Sequence, residues 1–268
     1  MIKIKIHSLY DHFPERKPQE GERYIEMYSD TFVKECTSGS RTNVALMLEP
    51  RSMIGEAYEY VYTHSDYFGL ILTHDSRLLK LPQAKMMNWG DVWLTTDSKK
   101  TKGISICTSP KNWCPLHNAR LELANRYKDS DQVDVFFGDW NDPAKVIDAK
   151  DYLEEYKFSI IIENDIDEYW YTEKLLNCFS TKTIPIYVGA TKIDTIFNEE
   201  GMIRVDDWRD VPRIVDAIYT YGLDTIYDKP DVKAAVEDNF RRVEPYKTPW
   251  KERLFKYYEK DMEELLNG

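Results

Sequence analysis

Residues Lys157–Ala190 read KFSIIIENDIDEYWYTEKLLNCFSTKTIPIYVGA, and the fold is decided here. Phe158–Ile162 is a short apolar run, long enough for a strand buried on both faces. The polar loop Glu163–Glu168 follows. Thr172 then caps a helix whose first turn carries Glu173, where the helix dipole favours a carboxylate. Leu175, Leu176, Cys178 and Phe179 give that helix an apolar face, and Ile184–Val188 is a second strand closed by Gly189. Strand, helix, strand is a βαβ unit, whose ligands bind beyond the carboxyl ends of the strands. Lys174 lies in the first helical turn, where the dipole repels a cation. Either it is a solvated surface lysine, or an anion such as a diphosphate shares the site and takes the free N–H groups as well.

Three segments, FSIIIEN (Phe158–Asn164), WYTEK (Trp170–Lys174) and TIPIYVG (Thr183–Gly189), resemble the donor-binding motif of the α-1,3-fucosyltransferase family. These GT10-like enzymes are inverting glycosyltransferases that use GDP-fucose. Trp170 stands at the family's tyrosine position, keeping an aromatic face and losing a hydroxyl. The resemblance implies that Asn164, Trp170 and Glu173 contact nucleoside and sugar and that Lys174 contacts the diphosphate. Tyr171 is a possible further contact.

With 268 residues, two domains are expected. A hydrophobic content of 42% suffices for ordinary cores, and 19 Tyr with 7 Trp suit sugar handling as well as cores and interfaces. The net charge of −11 disfavours nucleic acid and anionic membranes as partners, so a nucleotide-sugar site must concentrate positive charge locally. The four cysteines form no C-x-x-C pair and suggest neither zinc nor redox chemistry. The start MIKIKIHSLYDHF has no signal-peptide core and no run reaches the length of a membrane span, so a soluble, cytoplasmic protein is expected.

Taken in order, Ile2–Ile6 is a strand; residues 8–42 match nothing recognisable, with a helical patch expected near Tyr24–Phe32. Asn43–Leu48 and Phe68–Thr73 are strands, Tyr58–Tyr62 is helical, and Met86–Leu94 is an irregular strand. Glu49 follows a strand end, where sites are built, although a loop glutamate capping a helix has the same position. The resemblance makes Glu49 the catalytic base. His74 is its rival by reference pKa, a buried structural histidine being the plainer reading.

Asp97–Gly103 (DSKKTKG) reads as a linker. Beyond it come the strand Ile104–Cys107, the helix Asn118–Tyr127 and the strand Val133–Phe137. Ser109, Ala119–Arg120 and Val133–Gly138 extend the resemblance, which makes Arg120 a diphosphate-binding arginine, a guanidinium at a helix N-terminus offering two parallel donors. His117, one turn earlier, is the alternative. Asp165 and Asp167 form a D-x-D triplet that could ligate Mg²⁺ or Mn²⁺, but acidic residues are expected before a helix and Arg120 with Lys174 already offset a diphosphate. No metal and no cofactor are expected.

The expected architecture is α/β and GT-B-type: two Rossmann-like domains facing a cleft, at 1–97 and 98–245, with a C-terminal helix, 246–268, packing back on the first. The expected function is transfer of a sugar, fucose from GDP-fucose by resemblance, onto a glycan hydroxyl. The alternatives are a transferase for another nucleotide sugar and a non-catalytic nucleotide- or glycan-binding protein.

Overall fold

The computed structural model describes residues 1–139 and 142–268. They divide into two compact units, Met1–Trp89 with Pro249–Gly268, and Gly90–Thr248.

The first unit is a parallel sheet in the order β1 (Ile4–His7), β2 (Ile25–Ser29), β3 (Ser40–Leu46), β4 (Phe68–Thr73), β5 (Ala84–Met86). Strand alternation sends Met27, Val44, Leu46, Leu70 and Leu72 to one face. The C-terminal helix Trp250–Asn267 covers that face with Trp250, Leu254 and Met262. Tyr28, Ala45 and Ile71 point the other way, against α1 (Arg51–Thr63) and its Ala57, Tyr58 and Val61. Within the expected helical patch at Tyr24–Phe32, Ile25–Ser29 is instead β2, because Ile25 and Met27 alternate with Glu26 at period two, and a 3-10 helix, Asp30–Glu35, follows it. Asp30, in the left-handed region at φ 51°, ends the strand.

The second unit contains β6 (Lys102–Thr108), α2 (Pro115–Tyr127), β7 (Val133–Phe137), α3 (Ala149–Leu153), β8 (Tyr156–Ile162), α4 (Glu173–Ser180), β9 (Ile184–Val188), β10 (Ile203–Arg204), α5 (Val211–Tyr221), α6 (Leu223–Tyr227) and α7 (Pro230–Arg242). Its parallel sheet runs β10-β9-β8-β6-β7. Chain order reverses between β6 and β8, and such a switch point opens a crevice at the carboxyl ends of the strands. β8 is buried along its whole length. Phe158, Ile160 and Ile162 join the cluster that holds α2 and α5, while Ile161 joins the one that holds α4.

The polar stretch Asp97–Gly103 is built into this unit rather than strung ahead of it. The Lys100 ammonium is buried and donates to the carbonyls of Leu153 and Glu154 and to Thr183 Oγ1, each at 2.9 Å. These are the carbonyls at the end of α3, where a cation is favoured. Burial nonetheless pulls the Lys100 pKa down to about 8. Among the described residues no helix is long and apolar enough to cross a membrane.

Candidate active site

A cavity of about 310 Å³ lies at the carboxyl edge of the second sheet. Thr108 and Ser109 line it from the end of β6, Ile162 from the end of β8, Arg120 from α2, and Glu173 with Lys174 from the start of α4. The switch point thus brings two cations, far apart in sequence, to one hollow.

Arg120 lies one turn deeper in its helix than the sequence suggests, because α2 starts at Pro115, a residue suited to the first helical position. Its Nη2 donates to Asn164 Oδ1 at 2.6 Å. Its Nε is buried without a hydrogen-bond partner, which is costly for a charged group unless a ligand supplies the acceptor. Burial lowers the Arg120 pKa, and Glu163 and Glu173 oppose that shift.

Lys174 Nζ donates to Thr172 Oγ1 at 3.0 Å and to Glu173 Oε1 at 3.1 Å, and lies 3.6 Å from Glu163 Oε2. Burial alone would lower its pKa; the carboxylates of Glu173 and Glu163 more than reverse this and hold it above its ordinary value. The ammonium therefore stays charged.

Glu163 went unnoticed in the sequence as a site residue. It is fully buried at the end of β8 and accepts the Thr172 N–H and hydroxyl, each at 2.8 Å. Thr172 Oγ1 in turn accepts from Lys174 Nζ, so Glu163 fixes the ammonium through Thr172. A carboxylate directly after a strand buried on both faces must find partners, and that was the available signal. Glu163→Ala is expected to destabilise the second unit by roughly 3 kcal/mol, because it removes one partner of a buried ion pair. A lowered urea midpoint with Glu163→Gln in between checks this.

Three expected contacts sit elsewhere. Trp170 is 0% exposed and Tyr171 3%, so neither ring presents a face to a ligand. Tyr171 packs edge-on against Phe197 and Tyr246 and hydrogen-bonds the Tyr246 hydroxyl. The loop after β8 is tied to the segment after β9, where the carbonyls of Asp167 and Glu168 accept the N–H groups of Thr191 and Lys192, each at 2.9 Å. His117 is buried beside the site, and its Nδ1 accepts the Trp113 N–H at 3.2 Å. Burial, then Arg120 and Lys174, push its pKa down to about 4, so it offers an anion no charge near neutrality. Asp165 and Asp167 each spend a carboxylate oxygen on loop N–H groups, of Ile166 and Tyr169.

Glu49 belongs to the first unit, between β3 and α1. Its backbone is pinned: Asp30 Oδ1 accepts the N–H groups of Leu48 and Glu49 at 2.7 and 3.0 Å, and the Tyr58 hydroxyl donates to Glu49 O at 2.6 Å. The N-cap residue of α1 is Pro50, which makes no side-chain cap.

His74 is 2% exposed, against the Tyr58 hydroxyl at 3.1 Å, and burial holds its pKa at about 3. That removes it as a rival base, since it neither meets solvent nor titrates near neutrality. Its folded pKa lies below its unfolded value near 6.5, so the unfolded chain takes up the proton first as pH falls. This stability is complete above pH 6.5 and is lost towards pH 3. His74→Gln is expected to reduce the stability lost between pH 7 and pH 5 by about 2 kcal/mol, measured by urea unfolding at both values.

Residues 97–225 match the family model described as glycosyltransferase family 10 (fucosyltransferase), C-terminal part. The α-(1,3)-fucosyltransferase FucT of Helicobacter pylori is 30% identical over 91 residues, which cover 32% of this chain and 19% of that one. The human 4-galactosyl-N-acetylglucosaminide 3-α-L-fucosyltransferase 9 is 26% identical over 108 residues, covering 38% of this chain and 29% of that one. The chain thus spans less than a third of either relative. In structure, an α1,3-fucosyltransferase with GDP aligns over 93% of this chain and 92% of its own, at 13% identity and TM-score 0.54. The pneumococcal O-GlcNAc transferase GtfA, with UDP and GlcNAc, aligns over 91% of this chain and 57% of its own, at 10% identity and TM-score 0.56. At such identities these neighbours speak for the fold, the α/β GT-B class with two Rossmann-like halves. Over residues 97–225 the chain is thus similar to glycosyltransferase family 10, the fucosyltransferase family.

Proposed function

We propose that this chain is an inverting glycosyltransferase that moves fucose from GDP-fucose onto a glycan hydroxyl. One observation carries the reading: Arg120 and Lys174 line one cavity at the switch point, and the buried Nε of Arg120 lacks an acceptor.

In this reading the two cations hold the diphosphate and stabilise the charge that grows on it as the bond to the sugar breaks. Glu173 accepts from ribose hydroxyls, and Asn164 orients the Arg120 fork. Glu49 takes the proton of the acceptor hydroxyl while its oxygen attacks the anomeric carbon from the face opposite the leaving group. The sugar passes through an oxocarbenium-like transition state, and one inverted glycosidic bond replaces the bond to the diphosphate. The fucose assignment rests on the similarity of residues 97–225 to the fucosyltransferase family.

Thermal shift against GDP- and UDP-sugars, followed by mass spectrometry of glycan acceptors, tests this. Stabilisation by GDP-fucose with transfer supports it. Preference for a UDP-sugar overturns the donor, and binding without transfer or slow donor hydrolysis makes the chain a nucleotide-binding protein. Because two side-chain cations offset the diphosphate, activity is expected to persist undiminished in excess EDTA; loss that Mn²⁺ restores contradicts this.

A further inference from the structure

Trp93 is 57% exposed, yet it forms part of the wall of the cavity that holds Arg120 and Lys174. Scattered exposed aromatics are ordinary. This one differs in how firmly its backbone is held. Asn177, fully buried on α4, accepts the N–H of Trp93 at 2.8 Å and of Leu94 at 3.2 Å. The Ser180 hydroxyl donates to Leu94 O, the Thr96 N–H donates to Ser180 O at 3.2 Å, and the Val92 N–H donates to Tyr246 O at 2.9 Å. Val92 and Leu94 pack into the cluster around α4, and Trp93 between them faces the cavity. Just upstream, a Cβ on Gly90 would meet Thr172 C at 3.0 Å and Glu173 N at 3.1 Å, so the segment runs tight against the start of α4. The Trp93 backbone is thus held beside the first turn of α4, with the residue more than half exposed.

The cavity lining divides by chemistry. Arg120, Lys111 and Lys174 supply positive charge, while Trp93, Ile147 and Tyr152 supply apolar surface. A ligand that is anionic at one end and flat and apolar at the other fits such a lining, and a nucleoside diphosphate is that ligand.

We propose that Trp93 is the stacking face for the nucleobase of the donor, held in place by Asn177. This rests on the donor-site reading above, and the test separates the two. GDP and inorganic pyrophosphate are titrated by calorimetry into the parent, Trp93→Ala and Trp93→Phe. Pyrophosphate reports the cationic part alone. Base–aromatic stacking is worth a factor of about 10 to 100 in affinity. Trp93→Ala is therefore expected to weaken GDP by at least about tenfold and leave pyrophosphate unchanged, and Trp93→Phe to recover most of the loss. Three results overturn the proposal: GDP affinity in Trp93→Ala equal to the parent's, equal weakening of GDP and pyrophosphate, or no recovery with Phe. If the parent itself binds neither compound, the donor-site reading has failed and this proposal falls with it.

Discussion

Glu49→Gln is expected to lower the rate of sugar transfer by about a hundred- to ten-thousandfold, the usual contribution of a positioned general base. The amide keeps the shape of the side chain and removes its ability to take a proton. The loop should not move, since its backbone is held by Asp30 and by the Tyr58 hydroxyl, neither of which uses the Glu49 carboxylate. GDP affinity and melting temperature should therefore stay near the parent values while turnover collapses. Transfer persisting near the parent rate would remove Glu49 as the base. His74 would not inherit the role, being buried and held neutral by a pKa of about 3.

Arg120→Ala and Lys174→Ala are each expected to slow transfer by about a hundred- to a thousandfold, as the loss of one charge-stabilising donor does. Both act on one leaving diphosphate, so the double variant should lose less than the product of the two. The conservative variants separate charge from shape. Lys174→Arg keeps a cation beside Glu163 and Glu173 and should fold as the parent does. Arg120→Lys keeps the charge but gives up the paired donors, one of which holds Asn164, and should stay slow. Lys174→Ala carries a second cost, because it strips the buried Glu163 of its counter-charge; melting curves must accompany its kinetics. Single-turnover rates at saturating donor measure the chemical effect, and parent-like rates in both alanine variants would contradict the proposed roles.

How legible these features were in the sequence depended on the kind of signal. β8 and β9 could be read because their residues are mostly apolar, as strands of a doubly covered sheet require. The helix between them could be read from Thr172 and Glu173, a cap and a first-turn carboxylate. β2 could not, since one short alternation, Ile25 to Met27, stands among charged residues. Trp170 was misplaced for a different reason. The resemblance made it a donor contact, and nothing local shows that its ring is buried. Glu163 was overlooked because its partners, Thr172 and Lys174, lie across the loop in the folded chain. Lys100 misled in the opposite sense: a lysine among polar residues suggests a solvated linker, whereas three acceptors from distant segments bury it. What stayed hidden was long-range satisfaction of polar groups, which depends on tertiary neighbours rather than on periodicity.

The most direct test of the central claim, that the second unit holds a nucleoside diphosphate between Arg120 and Lys174, is a calorimetric titration of GDP into the parent and into the Arg120→Ala, Lys174→Ala double variant. The expected result is one GDP per parent chain, competed by pyrophosphate, and affinity weakened at least about a hundredfold in the double variant, as loss of two charge-assisted contacts demands. A folded double variant that binds GDP as tightly as the parent would contradict it.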